Sequence, residues 1–492
     1  MDRCPVAHAS ASHEALACPT ASLRIEDLPG PRGWPWIGNA LQLESNATHR
    51  TLEAWQARYG DRYRFRVGSR TFVVISDPDA IRTVLRDRPE GFQRSKRLVD
   101  VFSEMGPPGL FASNGDAWIA QRSLVMRAFD PAHLRGYFPT MVQVTGRLLE
   151  RWRRAAARRE EIDLLADLTR YTVDVVAGLA LGIDINTIEE SGPTVQVHLD
   201  AVFPTVQRRL FALFPYWRYL KLPADRAFDR HARELDRMVT GLIAKARQRL
   251  ADEPDRREHP TNLIESLVCA RDHEGSRFTD RDVAGNVLTI LLAGEDTTAH
   301  SLAWMVRLLA REPGAWQRAH EEVKQAVGDA LFPIAYAQIE QLGYLDACAH
   351  ETMRLKPVAP VQGHQAVQPT VVDGIEIPAG TVVMCLVRPA AVDVHRWPDA
   401  ARFAPERWLQ DAAHEANAVQ GASIRRISVP FGGGPRICPG RQLALLEIRM
   451  AAAMLLRNFR VEELDAPQER DGEHFAFTMR PRSLRVRLAP LD

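Results

Sequence analysis

The sequence predicts a mainly α-helical fold that carries a small β-rich region. Three observations predict it. Over most of the chain apolar residues recur at the helical period, as in Asp79–Leu85, Val142–Arg158, Leu164–Leu181 and Phe228–Ala251. One such run opens with a capping-box pattern, Thr279-Asp-Arg-Asp282, and meets no breaker until Glu312, before Pro313. At the helical rise this is a helix of about 33 residues and about 50 Å, enough to cross a whole domain. Strand-like alternation is local. Its clearest case is Tyr63–Val67 and Thr71–Ile75, joined by Gly-Ser-Arg as a β-hairpin.

A chain of 492 residues holds one large domain or two to four ordinary ones. Its 46% apolar and 25% charged residues are those of a globular protein. The net charge of +1 gives no global field for nucleic acid, so no nucleic-acid partner is expected. The six cysteines (Cys4, Cys18, Cys269, Cys348, Cys385, Cys438) are scattered without paired spacing, which suits a reducing cytosol and a cytoplasmic location. The best apolar run, Val287–Ala293, is far short of the roughly 20 residues that span a bilayer, so no transmembrane anchor is expected. Residues 1–25 are small and polar and read as a poorly ordered segment, with 26–492 as a single domain and a monomer expected. Within it, Leu28–Gly38 is too rich in Pro and Gly for helix or strand.

Further along, Trp118 and Arg122 stand four apart on a predicted helix and so share a face. The aromatic segment Val202–Trp217, broken by Pro204 and Pro215, reads as a lid over an apolar pocket, as a weak membrane-surface contact, or as core. In the middle of the long helix lies Ala293-Gly-Glu-Asp-Thr-Thr298, polar within an apolar element. Gly294 alone costs such a helix about 1 kcal/mol, and local conflict of this kind marks functional sites. Glu351 and Arg354 are three apart on the helix Tyr344–Leu355 and can pair. Exposed, that pair is worth only about 0.2–0.5 kcal/mol.

The stretch Phe431-Gly-Gly-Gly-Pro-Arg436-Ile-Cys438-Pro-Gly440 carries one thiol among glycines, directly before an apolar helix over 442–456. A helix N-terminus favours a thiolate there, glycines let the backbone approach something flat and bulky, and Arg436 suits a carboxylate. A thiolate so placed is the proximal-ligand arrangement for haem iron. The stretch resembles the haem-binding loop of the cytochromes P-450, matching its fixed positions at Phe431, Gly432, Gly434, Arg436, Cys438 and Gly440. The resemblance extends to Ala293–Thr298 as the oxygen-activation motif, to Glu351-x-x-Arg354, and to Phe403-Ala-Pro-Glu-Arg407-Trp408. It covers Leu28 to the C-terminus.

The resemblance implies a P-450 fold with haem b between the long helix and the Cys438 loop. It implies Cys438 as axial iron ligand and Trp118, Arg122 and Arg436 as propionate contacts, with Phe431 and Gly440 in the cofactor loop. Thr297 becomes the alcohol and Asp296 the acid that deliver protons, and Glu351, Arg354 and Arg407 a buried network behind the haem. Two positions depart from the pattern: His364 stands where an arginine commonly grips a propionate, and Trp408 where Phe is usual. Family position also assigns residues 358–362, 385–388 and 473–478 to the pocket lining.

The implied reaction is monooxygenation of a hydrophobic small molecule by O2. Electrons would come from NAD(P)H through a separate ferredoxin or flavodoxin and its reductase, docking near Arg425, Arg426 and Arg441. A peroxide-driven peroxygenase and a non-catalytic thiolate-haem sensor are the alternatives. Asp296-Thr297 speaks against both.

Overall fold

Helices form where the apolar period runs and where a cap closes it. In the computed structural model, which describes residues 22–190, 195–274, 276, 278–396, 399–409 and 424–491, they are α1 (Thr48–Tyr59), α2 (Pro78–Arg86), α3 (Lys96–Ser103), α4 (Gly115–Ala128), α5 (Pro131–Ala157), α6 (Leu164–Leu181) and α7 (Val195–Phe211). The chain continues through α8 (Pro223–Asp252), α9 (Leu263–Asp272), α10 (Asp280–Arg311), α11 (Pro313–Val327), α12 (Tyr336–Glu340), α13 (Gly343–Leu355), α14 (Ile424–Ile427) and α15 (Arg441–Asn458).

The long helix α10 is capped as its sequence predicts. Asp282 N–H donates to Thr279 Oγ1 at 3.2 Å, and Thr279 N–H donates back to the Asp282 carboxylate at 2.8 Å. Two reciprocal bonds satisfy donors that a helix start leaves open. The helix is buried for most of its length and packs along α6. Gly294 has its reason there: a Cβ on it would lie 2.6 Å from Val176 Cγ2 on α6. At the same crossing Thr172 Oγ1 donates to the Glu295 carbonyl at 2.8 Å. The glycine weakens the helix locally and lets two helices touch.

The β-rich region centres on a five-stranded sheet of β1 (Arg62–Val67), β2 (Arg70–Ile75), β3 (Phe92–Gln93), β5 (Val361–Ala366) and β8 (Val382–Leu386), in the order β1-β2-β8-β5-β3. The predicted hairpin is β1–β2, in register Phe65↔Phe72 with those rings stacked at 4.9 Å. Strands β4 (Glu161–Asp163), β9 (Phe459–Glu463) and β12 (Arg485–Pro490) form a second sheet. Two short pairs complete the set, β6 (Thr370–Val372) with β7 (Ile375–Ile377), and β10 (Glu473–Ala476) with β11 (Thr478–Pro481). The sheet region has its own apolar clusters beside the main helical core.

The β10–β11 hairpin is anchored at its root by Glu473, a buried carboxylate that accepts from His49 Nε2 at 2.8 Å, Lys356 Nζ at 2.6 Å and Arg388 at 2.8 Å. Burial alone would raise that carboxyl. The His49 hydrogen bond and the Arg388 and Lys356 charges outweigh it and hold the group well below the usual carboxylate range.

Two boundaries differ from the sequence reading. Helix α7 runs through Pro204, because Val202, Phe203 and Val206 bury their side chains and tertiary packing outweighs one lost backbone bond. Residues 1–21 of the expected poorly ordered segment lie outside the described residues, whereas Leu23 is tied by backbone bonds to Gly374 and Glu376 and Ile25 is buried. Among the described residues no helix is long and apolar enough to cross a membrane.

Candidate active site

The glycine-rich loop before α15 is shaped by backbone that only glycine adopts freely. Gly432 has φ +71° and Gly434 φ +62°, and a Cβ on Gly434 would stand 2.2 Å from the Leu85 carbonyl oxygen. The loop closes through Cys438 N–H donating to the Phe431 carbonyl at 3.0 Å, with Gly440 at the N-cap of α15. Burial is the largest influence on the Cys438 thiol and pushes it up, while the Gly440 and Arg441 N–H groups and the Arg122 charge pull it down. The expected preference for a thiolate is thus met in part. The helix start and Arg122 favour it, and burial opposes them.

Cys438 opens onto a cavity of about 1110 Å³. Phe431 and Gly440 line it with the sulfur, and α10 contributes Ala293, Gly294, Thr297 and Thr298 to the same wall. Apolar residues from several elements form the rest of the wall, including Phe102, Phe203, Phe475 and Phe477. Of the predicted lining segments, 358–362 and 473–478 contribute side chains. Segment 385–388 does not, because Cys385, Leu386 and Val387 are buried in the core behind Met384.

Thr297 lines the cavity and donates its hydroxyl to the Ala293 carbonyl at 2.7 Å. Asp296, its neighbour, is buried, is not part of the cavity wall, and stands 3.7 Å from His300 Nε2. Burial, then the charges of Arg480 and His474, push His300 down to about 3 despite that carboxylate, so its ring is neutral. Sequence reasoning missed Glu447 of α15, buried at the cavity wall, whose carboxyl burial holds well above the usual range, opposed by Thr298.

One edge of the cavity is strongly basic. Trp118 and Arg122 both face it from α4, and Arg122 donates to the Ile437 carbonyl in the cysteine loop at 2.6 Å. Arg436 donates to the Ser113 carbonyl at 2.8 Å and lies 4.5 Å over the Trp118 ring. Arg88 and Arg94 join them; neither belongs to a motif, and only the fold brings them here. Burial pushes all four guanidiniums down, Arg94 to about 9 and Arg436 to about 10, with neighbouring arginines adding to the effect on those two. None of the four makes an ion pair among the described residues.

His364 differs from its expected place. It is fully buried on β5 and is not part of the cavity wall, since strand alternation turns Gly363 and Gln365 to the cavity and His364 inward. Burial and the charges of Arg88, Arg94 and Arg436 hold it neutral, and neither ring nitrogen has a hydrogen-bond partner.

Behind the cysteine loop, Arg354 makes paired bonds to Glu351, both at 2.8 Å, and donates to the Ala391 and Ala400 carbonyls. Arg407 Nε stands 3.6 Å from Glu351, and Trp408 Nε1 donates to it at 2.9 Å. Both Glu351 and Arg354 are fully buried.

These residues fit a haem. Four arginines that line the cavity without an acidic partner among the described residues suit two carboxylates, and glycines shape the loop beside a single sulfur facing the cavity. Comparison with known proteins agrees. Over residues 28–488 the chain matches the family model described as Cytochrome P450. It is 28% identical to cytochrome P450 97B2, chloroplastic, of Glycine max (85% of this chain, 79% of that one). It is 28% identical to the chloroplastic carotene epsilon-monooxygenase of Arabidopsis thaliana (92% and 82%). It is also 29% identical to the self-sufficient cytochrome P450 monooxygenase CYP505E3 of Phanerodontia chrysosporium, where 94% of this chain spans only 43% of that protein. The chain therefore belongs to the cytochrome P450 family, as a haem-containing monooxygenase.

Proposed function

We propose that this enzyme inserts one oxygen atom of O2 into a C–H or C=C bond of a hydrophobic small molecule, with Cys438 as the residue whose sulfur would hold the iron of haem b. The supporting observation is one cavity that is lined by both Cys438 and Thr297 and by many apolar side chains. Haem, when bound, supplies oxygen activation. The chain's own residues do the rest. Arg88, Arg94, Arg122 and Arg436, with Trp118 beside them, would hold the propionates, and His364 packs near that cluster. The Thr297 hydroxyl holds a proton at the α10 wall, and Asp296, one residue before it and off the cavity wall, supplies protons. Glu351, Arg354 and Arg407 tie α13 to the segment over residues 391–404.

Electrons are proposed to come from NAD(P)H through a separate ferredoxin or flavodoxin and its reductase. Exposed Arg425 and Arg426 on α14 supply a basic docking patch. Scattered cysteines favour the cytoplasm, and the enzyme is proposed to act as a monomer.

The test is the spectrum of the dithionite-reduced, carbon-monoxide-bound protein, in wild type and Cys438→His. A strongly red-shifted Soret band lost in the variant is expected. An imidazole-type band in both would overturn Cys438 as ligand. Turnover with NADPH and a surrogate redox pair, against turnover with hydrogen peroxide alone, separates the monooxygenase from a peroxygenase. Failure of both would leave a sensor.

A further inference from the structure

A buried imidazole joins α10 to the β10–β11 hairpin, one turn past Asp296. His300 Nε2 faces Asp296 Oδ1 at 3.7 Å, and its Nδ1 lies 3.3 Å from Thr478 Oγ1 at the start of β11. All three side chains are buried, and Thr478 also lines the cavity. A carboxylate beside Nε2 keeps the ring proton on that nitrogen, which leaves Nδ1 to accept from the Thr478 hydroxyl. Burial, then the charges of Arg480 on β11 and His474 on β10, disfavour a second ring proton. The ring therefore has one donor end and one acceptor end, each facing a polar partner.

Packing alone would be served better by an apolar side chain, since a buried ring with two polar nitrogens costs free energy unless both are partnered. The surroundings give the link a consequence. One turn further along α10, Trp304 is buried in a cluster with Phe475 and Met479 of the hairpin. The same hairpin presents Phe475, Phe477 and Thr478 to the cavity. A molecule bound there meets the hairpin, and the Thr478 hydroxyl connects the hairpin to a ring that faces the acid of α10.

We propose that His300 is a positioning residue for proton delivery, holding the Asp296 carboxylate at Nε2 and the Thr478 hydroxyl at Nδ1, so that the orientation of the acid depends on how the hairpin is seated. The ring itself gives up no proton. This rests on the reading of the cavity as the monooxygenase site with Asp296 as its acid. It names two residues that no motif marks, and it ties proton delivery to the element that meets the substrate.

The experiment uses haem-loaded wild type, His300→Gln, His300→Leu, Thr478→Val and Thr478→Ser, each checked by the reduced carbon-monoxide spectrum. Turnover with NADPH and a surrogate redox pair, with no organic substrate added, is read as O2 converted to water against O2 converted to peroxide. His300→Leu and Thr478→Val should lower the water-to-peroxide ratio roughly 5-fold, the size of one ordinary hydrogen bond. His300→Gln keeps an amide donor and acceptor, Thr478→Ser keeps its hydroxyl, and both should hold the wild-type ratio. A leucine variant that loses thermal stability with an unchanged ratio would overturn the proposal and leave a packing role. A glutamine variant as low as the leucine variant would also overturn it. A second readout needs no turnover. In the diamagnetic ferrous carbon-monoxide form at about pH 7, nitrogen NMR of histidine-labelled protein should show one protonated and one bare nitrogen for His300, identified by their loss in His300→Gln. The bare one should shift in Thr478→Val. A doubly protonated ring, or no shift, would overturn the assignment. Failure of the monooxygenase reading would show separately, as a wild-type carbon-monoxide spectrum without the red-shifted band.

Discussion

Trp408 Nε1 donates to Glu351 Oε2 at 2.9 Å, so an indole completes a carboxylate that Arg354 already holds by two bonds. A phenylalanine, the commoner residue in the motif, could not. Trp408→Phe should destabilise the protein by about 1–3 kcal/mol in denaturant unfolding, because a buried acceptor loses a partner. Glu351→Ala should go further, by about 3–5 kcal/mol, and yield protein without haem. Normal haem content in the alanine variant would remove the network from the account.

Gly434→Ala asks the backbone for φ +62° with a side chain, and puts a Cβ 2.2 Å from the Leu85 carbonyl oxygen. The left-handed conformation alone costs about 1–2 kcal/mol. The contact with rigid backbone should displace the cysteine loop from α2. The expected result is a low haem-to-protein ratio after reconstitution and a diminished red-shifted band in what remains.

Arg94→Gln and His364→Asn separate charge from burial at the basic edge. Removing the Arg94 charge should weaken haem retention roughly 10-fold or more, measured by transfer to a haem acceptor protein. His364 is neutral and contributes no charge, so His364→Asn should alter retention much less while lowering thermal stability. Equal loss in both would return His364 to a direct role.

His300 gives a pH dependence with a definite sign. Its folded pKa of about 3 lies below the ordinary 6.5, so between those values the unfolded chain binds a proton that the folded chain refuses. Stability should therefore be complete above pH 6.5 and fall on acidification towards pH 3, by about 1.4 kcal/mol per pH unit for this ring. His300→Gln should flatten the acid limb of a stability–pH curve. An unchanged limb would mean that the ring is not neutral in the fold.

Thr297→Ala removes a cavity-wall hydroxyl and leaves the Cys438 loop untouched. The carbon-monoxide spectrum and ligand titrations should be unchanged, while product formed per NADPH falls, by roughly 100-fold for loss of a positioned proton donor. The unspent reducing equivalents should appear as peroxide.

The long helix, the hairpin and the cysteine loop were legible because each is written in local terms: a capping box, an alternation, glycines where only glycine fits. The oxygen-side pair Asp296-Thr297 was legible as a conflict within a helix, but neighbours one apart on α10 point 100° from each other, and only Thr297 reaches the cavity wall. His364 was misplaced for the same kind of reason, since register on β5 decides which residues face in. Arg88 and Arg94 were invisible as part of the basic edge. What makes them matter is the company of Arg436, and that is a property of packing across distant segments.

Glu473 binds the root of the β10–β11 hairpin to α1, to Lys356 beyond α13 and to Arg388 beyond β8, while Phe475 and Phe477, two and four residues on, form part of the cavity wall. Phe475 packs on the anchoring His49 ring at 5.1 Å and belongs to the anchor, whereas Phe477 at the turn meets other aromatic rings of the cavity region, Phe102, Phe111 and Phe203. Anchor and tip are therefore separable at Phe477. Selectivity in this enzyme can change by a step at Phe477 that leaves its foldability intact, which makes the hairpin turn the place where a new substrate range would be acquired first.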